Sequence, residues 1–259
     1  MRVTAAVGIV CALIGLYVGL YLNLVIDRVP RKKAMRPVRA GCRNCLDAEG
    51  SAPVVPRLPW VLRGGHCPVC GERVSLRYPL VELSTAVLYA AIAVRLGANW
   101  ALPAFLVFFA CLVAISVIDL ELQIIPNRVI YPTIVLSLPL LALAAVAEGD
   151  IRRMATALAG AAIAFGILLL VHLISPASMG FGDVRLAFIL GLFLGWFDLS
   201  HVAIGLFVGF ALGAVVGVGL MLLGGKTRKD SVSFGPFLAA GAAVAVLFGD
   251  PLLHWWLRT

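Results

Sequence analysis

The chain has 259 residues, 62% of them hydrophobic and only 13% charged, with a formal net charge of +8 and a mean hydropathy of +1.03. Soluble globular domains are about 45–50% apolar and about 25% charged, so these proportions exclude an ordinary soluble domain and point to a bilayer. The apolar runs are continuous and far longer than the roughly ten-residue alternating strands of a membrane barrel, so the expected fold is all-α and polytopic.

A span needs about 20 apolar residues. In chain order the segments that qualify are 4–26, 80–97, 101–118, 129–147, 154–174, 184–198, 201–223 and 236–257, about eight transmembrane helices. The first follows a single Arg2 and has no small-residue cleavage site before charged sequence begins, so it reads as a retained span rather than a removed signal peptide. The breaks between the later spans carry Pro and Gly, the strongest local punctuation: Gly97 to Asn99, Pro126-Asn127, Glu148-Gly-Asp150, Ser175-Pro176 and Gly224-Gly225. The sixth segment is short, and Gly191 and Gly195 weaken it. The expected organisation is a first transmembrane helix over 1–26, a small polar insert over 27–79, and a transmembrane domain over 80–259.

The insert holds Arg28, Arg31, Lys32, Lys33, Arg36, Arg39, Arg43, Arg57, Arg63, Arg73 and Arg77 against Asp27, Asp47, Glu49 and Glu72. A basic loop between spans is the positive-inside signal, which places it in the cytoplasm beside anionic lipid and leaves the N-terminus outside. That distribution argues against nucleic-acid binding as the source of the net charge. Counting spans returns the segments near 119–128, 175–183 and 224–235 to the cytoplasmic side. Arg128, Arg185, Lys226, Arg228 and Lys229 then join the insert there, while Arg152-Arg153 runs against the rule.

Two carboxylates stand out in this apolar sequence. Asp119 follows the run Ala101–Ile118, and Asp183 lies in Gly180-Phe-Gly-Asp183, just ahead of another apolar run. An acid at the end of a span is costly to desolvate and marks a functional site by default. Two spans separate them, an even number, so both lie on one membrane face, and the insert shares that face. Two carboxylates sharing a site push their pKa values apart, which supplies one base and one acid for amide hydrolysis. Gly180 and Gly182 allow close approach of a substrate backbone. Pro126 stops the helix after Asp119. Arg185, two residues past Asp183, is placed either to favour an ionised carboxylate or to anchor the cytoplasmic edge. Asp27 is expected to be paired or solvated, and His172 to hydrogen-bond locally.

Cys11 and Cys111 fall inside spans, where a thiol behaves as a small hydrophobe. The other four form Cys42-Arg-Asn-Cys45 and Cys67-Pro-Val-Cys70, with 21 residues between the pairs. This spacing reads as a closed tetrahedral thiolate zinc site, structural rather than catalytic. Prolines and many charges leave the insert almost no core, and domains this small usually need a metal or disulfides. A reducing cytoplasm disfavours disulfides or a redox dithiol there.

Together these residues resemble the type IV prepilin peptidases, Gly-x-Gly-Asp intramembrane aspartic proteases described as bifunctional leader peptidases and N-methyltransferases. Gly19-Leu-Tyr-Leu-Asn-Leu-Val-Ile-Asp-Arg-Val-Pro30 is similar to the motif closing the family's first span, the two Cys-x-x-Cys pairs to its zinc insert, and Arg77-Tyr-Pro-Leu-Val-Glu82 to the entry of the second span. Ile118-Asp119 with Ile125-Pro126-Asn127 resembles the first catalytic segment, Gly180-Phe-Gly-Asp183 the second, and Phe234-Gly-Pro-Phe-Leu238 the opening of the last span. Arg185 departs from a usual lysine, and the first cysteine pair lacks a proline often found there. The resemblance implies catalysis by Asp119 and Asp183, with Gly180, Gly182, Pro126, Asn127 and Arg185 in support. It also implies structural zinc on Cys42, Cys45, Cys67 and Cys70, a bacterial inner-membrane location, and prepilins and pseudopilins of pilus assembly or type II secretion as substrates. The second reaction implied is methylation of the new N-terminus, with S-adenosylmethionine as donor. The alternatives are a peptidase without methyl transfer or, in another class, a transporter or scaffold with a zinc-stabilised lobe. Against the last, no chain of ionisable residues crosses the midplane.

Overall fold

The structure, a computed structural model, describes residues 2–31, 66, 75–176, 179–222 and 233–256. Cys42, Cys45, Cys67 and Cys70, and with them the expected zinc site, lie outside the described residues. Among the described residues eight helices form: α1 (Arg2–Arg28), α2 (Arg77–Leu96), α3 (Leu102–Leu122), α4 (Asn127–Ala147), α5 (Ile151–Ile174), α6 (Phe181–Gly195), α7 (Leu199–Leu222) and α8 (Gly235–Trp256). All regular elements among the described residues are α-helices. Seven of them, every one but α6, are long and apolar enough to cross a membrane.

The helices start and stop differently from the apolar runs, for a physical reason. Hydropathy ends a span at its first charge, whereas backbone hydrogen bonding continues until geometry breaks it. So α3 runs on to Leu122 and carries Asp119 inside its last turn, and α6 begins at Phe181 with Asp183 in its first. Gln123, not Pro126, ends α3: it adopts a left-handed φ of 53°, and its N–H returns to the Asp119 carbonyl at 2.9 Å. Pro126 instead caps the start of α4 in an extended conformation.

The chain divides into two compact units, Met1–Ala98 and Asn99–Thr259. In the first, α1 packs along α2. A Cβ built on Gly15 would lie 2.7 Å from Ala86 Cα, and one on Gly19 2.6 Å from Glu82 Cα. Lipid tails are as apolar as leucine, so helices associate in a bilayer through such close packing by small residues rather than by hydrophobic exclusion. Where α1 ends, Asp27 is buried and accepts from Arg77 Nη2 at 2.5 Å and from the Tyr78 hydroxyl at 3.1 Å. Asn23 Nδ2 donates to the Tyr78 carbonyl at 3.1 Å. Asp27 is therefore paired, as expected.

In the second unit, α6 touches each of α3, α4, α5, α7 and α8. It is buried on nearly all sides, from Ile189 through Gly195 without a break. Its 15 residues rise about 22 Å, short of the roughly 30 Å hydrocarbon core. A helix enclosed by protein is apolar all round and has no need to match the lipid. Phe193 of α6 stacks on Phe108 of α3 at 4.3 Å and meets Phe105 edge-on at 5.0 Å. Gly191 and Gly195 do not weaken the helix; they form its seam with α5, where a Cβ on Gly191 would sit 2.7 Å from Ala164 Cβ. We expect Gly191→Leu to lower the melting temperature in detergent, overpacking costing about 1–3 kcal/mol. Gly166→Ala, at a position with open space around it, should leave the melting temperature unchanged or raise it. Equal melting temperatures for wild type and Gly191→Leu would rule out this packing.

Arg153 donates to Glu148 at 2.8 Å and to Asp150 at 3.1 Å. Of the two bases that run against the positive-inside pattern, Arg153 is thus locally neutralised.

Candidate active site

Asp119 and Asp183 come from helices that are not neighbours in sequence, yet both line one cavity of about 520 Å³. The antiparallel pair α4 and α5 intervenes, so the end of α3 and the start of α6 return to the same end of the unit. Both carboxylates are buried, with 5% and 8% of their residue surface exposed. Gly180, Gly182, Asn127, Arg185, Ser233 and Phe234 share the lining.

Asp119 Oδ2 accepts the Ser233 hydroxyl and, at 3.0 Å, the backbone N–H of Gly235 at the start of α8. A side chain at 235 would collide with that carboxylate, its Cβ falling 2.6 Å from Oδ2. The first N–H groups of a helix have no partner within it, and here α3 supplies one.

Asp183 is the third residue of α6, after Gly180 as N-cap, and precedes the apolar stretch. Its Oδ1 is buried without a hydrogen-bond partner among the described residues. Asp183 stands outside the seven long apolar helices, and its carboxyl is pushed up to about 7, first by burial and then by the charge of Asp119. The backbone amides of Gly180 and Asp183 offset this only in part. The lone oxygen and the raised value describe a carboxyl suited to carry a proton.

The other expected residues divide. Gly182 is required by space, since a Cβ there would meet Ile125 Cβ at 2.9 Å, while one on Gly180 would make ordinary contacts. Arg185 does not pair with Asp183; its Nη1 donates to Asn127 Oδ1 at 2.5 Å and its guanidinium lies 4.7 Å from the Phe181 ring centre. Arg185 and Asn127 therefore tie α6 to α4 at the cavity edge. Pro126 does not line the cavity and acts through Asn127, which it places at the first position of α4. His172 Nδ1 donates to the Met179 carbonyl at 2.8 Å, a local bond that holds the segment before Gly180. Glu121 is exposed and absent from the lining. Cys11 and Cys111 are buried free thiols. Ser233 escaped notice in the sequence, and Gly235 was noted only within Phe234-Gly-Pro-Phe-Leu238, the opening of the last span. Gly235-Pro236 signals a helix start, but only the fold shows that this start faces Asp119.

The chain is thus a helical membrane protein with a cavity built around two buried carboxylates, at the end of α3 and the start of α6. Residues 13–96 match the bacterial peptidase A24 N-terminal domain, and residues 106–222 match the type IV leader peptidase family. The protein named prepilin leader peptidase/N-methyltransferase of Bacillus subtilis (strain 168) is 30% identical over 244 residues, covering 94% of this chain and 95% of the relative. Proteins of the same name are 31% identical in Aeromonas salmonicida (strain A449) and 30% in Pseudomonas aeruginosa, each alignment covering 95% of this chain and 92% of the relative. No solved structure matches the chain. The chain belongs to the type IV leader peptidase family.

Proposed function

We propose that this protein is a membrane aspartic endopeptidase that removes the basic leader of prepilins and pseudopilins, with Asp119 and Asp183 as its catalytic pair. The observation that carries this reading is the meeting of two buried carboxylates in one cavity large enough for a peptide segment. Asp119, whose Oδ2 is already an acceptor twice over, takes a proton from water. Asp183 keeps its proton and donates it to the scissile carbonyl oxygen. Water oxygen bonds to the carbonyl carbon, and collapse of the tetrahedral adduct returns a hydroxyl proton to Asp183 and breaks the C–N bond, while the leaving nitrogen takes the proton that Asp119 drew from water. Gly180, where even a Cβ would make only ordinary contacts, leaves room for substrate backbone beside Asp183, whereas the space at Gly182 is taken by Ile125.

The positive-inside pattern supports a cytoplasmic position for this end of the helices in a bacterial inner membrane, with the N-terminus outside. A substrate with a short basic leader and a membrane-inserted helix would present its cleavage point at that depth. Methylation of the newly exposed amine is the second activity named for the relatives, and S-adenosylmethionine is the donor the resemblance implies. The described lining of the carboxylate cavity mixes apolar side chains with Gln123, Asn127 and Arg185, and the reading of methyl transfer rests on the relatives' name and the resemblance alone.

The test is incubation with a synthetic prepilin leader joined to its membrane helix, followed by mass spectrometry. Loss of the leader mass establishes the peptidase, and a further methyl increment establishes the transferase. An intact substrate under conditions where the protein stays folded would sink the reading.

For the insert, the spacing of Cys42, Cys45, Cys67 and Cys70 supports a structural zinc that contributes folding free energy and takes no part in hydrolysis. Among the described residues no cluster of His, Cys, Asp or Glu is placed to hold a metal. One zinc per chain is expected by elemental analysis, falling in Cys67→Ser. Wild-type protein low in zinc, with linked cysteines by mass, would favour disulfides.

A further inference from the structure

A base at Asp119 must be aimed at the water it deprotonates. A carboxylate's terminal torsion is soft, with no deep rotamer well to hold it. Asp119 lies near the end of α3, one turn before the left-handed break at Gln123, where helix ends fray. Something outside α3 must fix its oxygens.

Two donors converge on one of them. The Ser233 hydroxyl and the Gly235 N–H both donate to Oδ2, from the entry and first residue of α8. Among the described residues nothing donates to Oδ1. Hydrogen bonds to an ionised carboxylate are the strong, geometrically specific ones, and the N-terminal end of α8 adds the positive end of its dipole. The absence of a side chain at Gly235 makes the approach possible.

We propose that Ser233 is a positioning residue for the peptidase reaction, holding Asp119 Oδ2 against the start of α8 so that Oδ1 faces the attacking water. This rests on the assignment of Asp119 and Asp183 as the catalytic pair. The bland alternative makes the same bonds a helix cap, with Asp119 serving α8 and Ser233 adding only stability. The two differ in what a lost hydroxyl changes. A positioning role lowers turnover and spares binding; a capping role lowers the melting temperature and spares turnover.

The experiment uses the full-length protein in detergent with the leader-plus-helix prepilin peptide. Ser233→Ala removes one donor and leaves the Gly235 N–H. We expect kcat to fall about tenfold, as for loss of one hydrogen bond to a charged group, with KM and melting temperature unchanged. Ser233→Thr, which keeps the hydroxyl, should recover most of the rate. In an Asp119→Asn background Ser233→Ala should cost nothing further, because the two act as one unit. If Ser233→Ala loses thermal stability, Ser233→Cys, close in size but a weak donor, replaces it in the same comparison. An inactive Asp119→Asn beside a fully active Ser233→Ala overturns the positioning role and leaves the peptidase reading intact. So does a rate loss that Thr fails to restore and that tracks the melting temperature. A fully active Asp119→Asn fails the underlying assignment instead.

Discussion

Asparagine at either Asp119 or Asp183 is expected to reduce prepilin cleavage by about a thousandfold or more, while the protein still inserts and folds. Asparagine matches the carboxyl in shape but neither takes nor gives the proton that amide hydrolysis requires. General acid–base groups contribute about 10²–10⁴-fold each, and members of one catalytic unit fail together, so the double variant should be little worse than either single one. The two positions differ in stability. Asp183 is buried with an unpartnered Oδ1 beside a second acid, so a neutral amide there removes a source of repulsion and should hold or raise the melting temperature. Asp119 accepts the Ser233 hydroxyl and the Gly235 N–H. Asparagine keeps one oxygen for these donors but loses charge, so a modest loss of stability is expected. Cleavage rates on the synthetic prepilin, set beside thermal melts, measure both effects. Either variant turning over at near the wild-type rate would remove the pair from the mechanism.

Much of this site was legible before the fold because membrane sequences are under unusual physical constraint. An acid in an apolar chain is conspicuous, and an even number of spans between Asp119 and Asp183 already put them on one face. Their meeting in a single cavity follows from the packing of α6 among all five other helices of its unit, which span counting does not reach. Hydropathy also misjudged α6. Gly191 and Gly195 looked like defects because propensity penalises glycine in a helix, whereas here they let α6 lie against Gly160 and Ala164 of α5. The roles of Arg185 and Ser233 were hidden for a related reason. Arg185 lies near Asp183 in sequence but reaches Asn127, 58 residues away. Ser233 lies 114 residues from Asp119 and touches it. Nothing in local spacing reports such contacts.

With Asp183 pushed up to about 7 by burial and by Asp119, its protonated form persists in the folded protein well beyond the range where an exposed aspartate is ionised. The raised direction sets the sign: the acid needed at the scissile carbonyl is present below about pH 7 and is lost as pH rises through that value. Above it, kcat/KM should fall about tenfold per pH unit, approaching a hundredfold loss two units higher. At low pH the pair takes up a second proton and loses its base, so activity falls there too and the profile is bell-shaped. The optimum is therefore expected in mildly acidic to neutral solution, unlike the strongly acidic optimum of soluble aspartic proteases whose dyads titrate lower. Rates across a pH series, with melting temperature and zinc content checked at each point, test this. Activity that keeps climbing through alkaline pH would mean that no shared proton is needed, and hydroxide rather than a carboxylate-activated water would be the nucleophile.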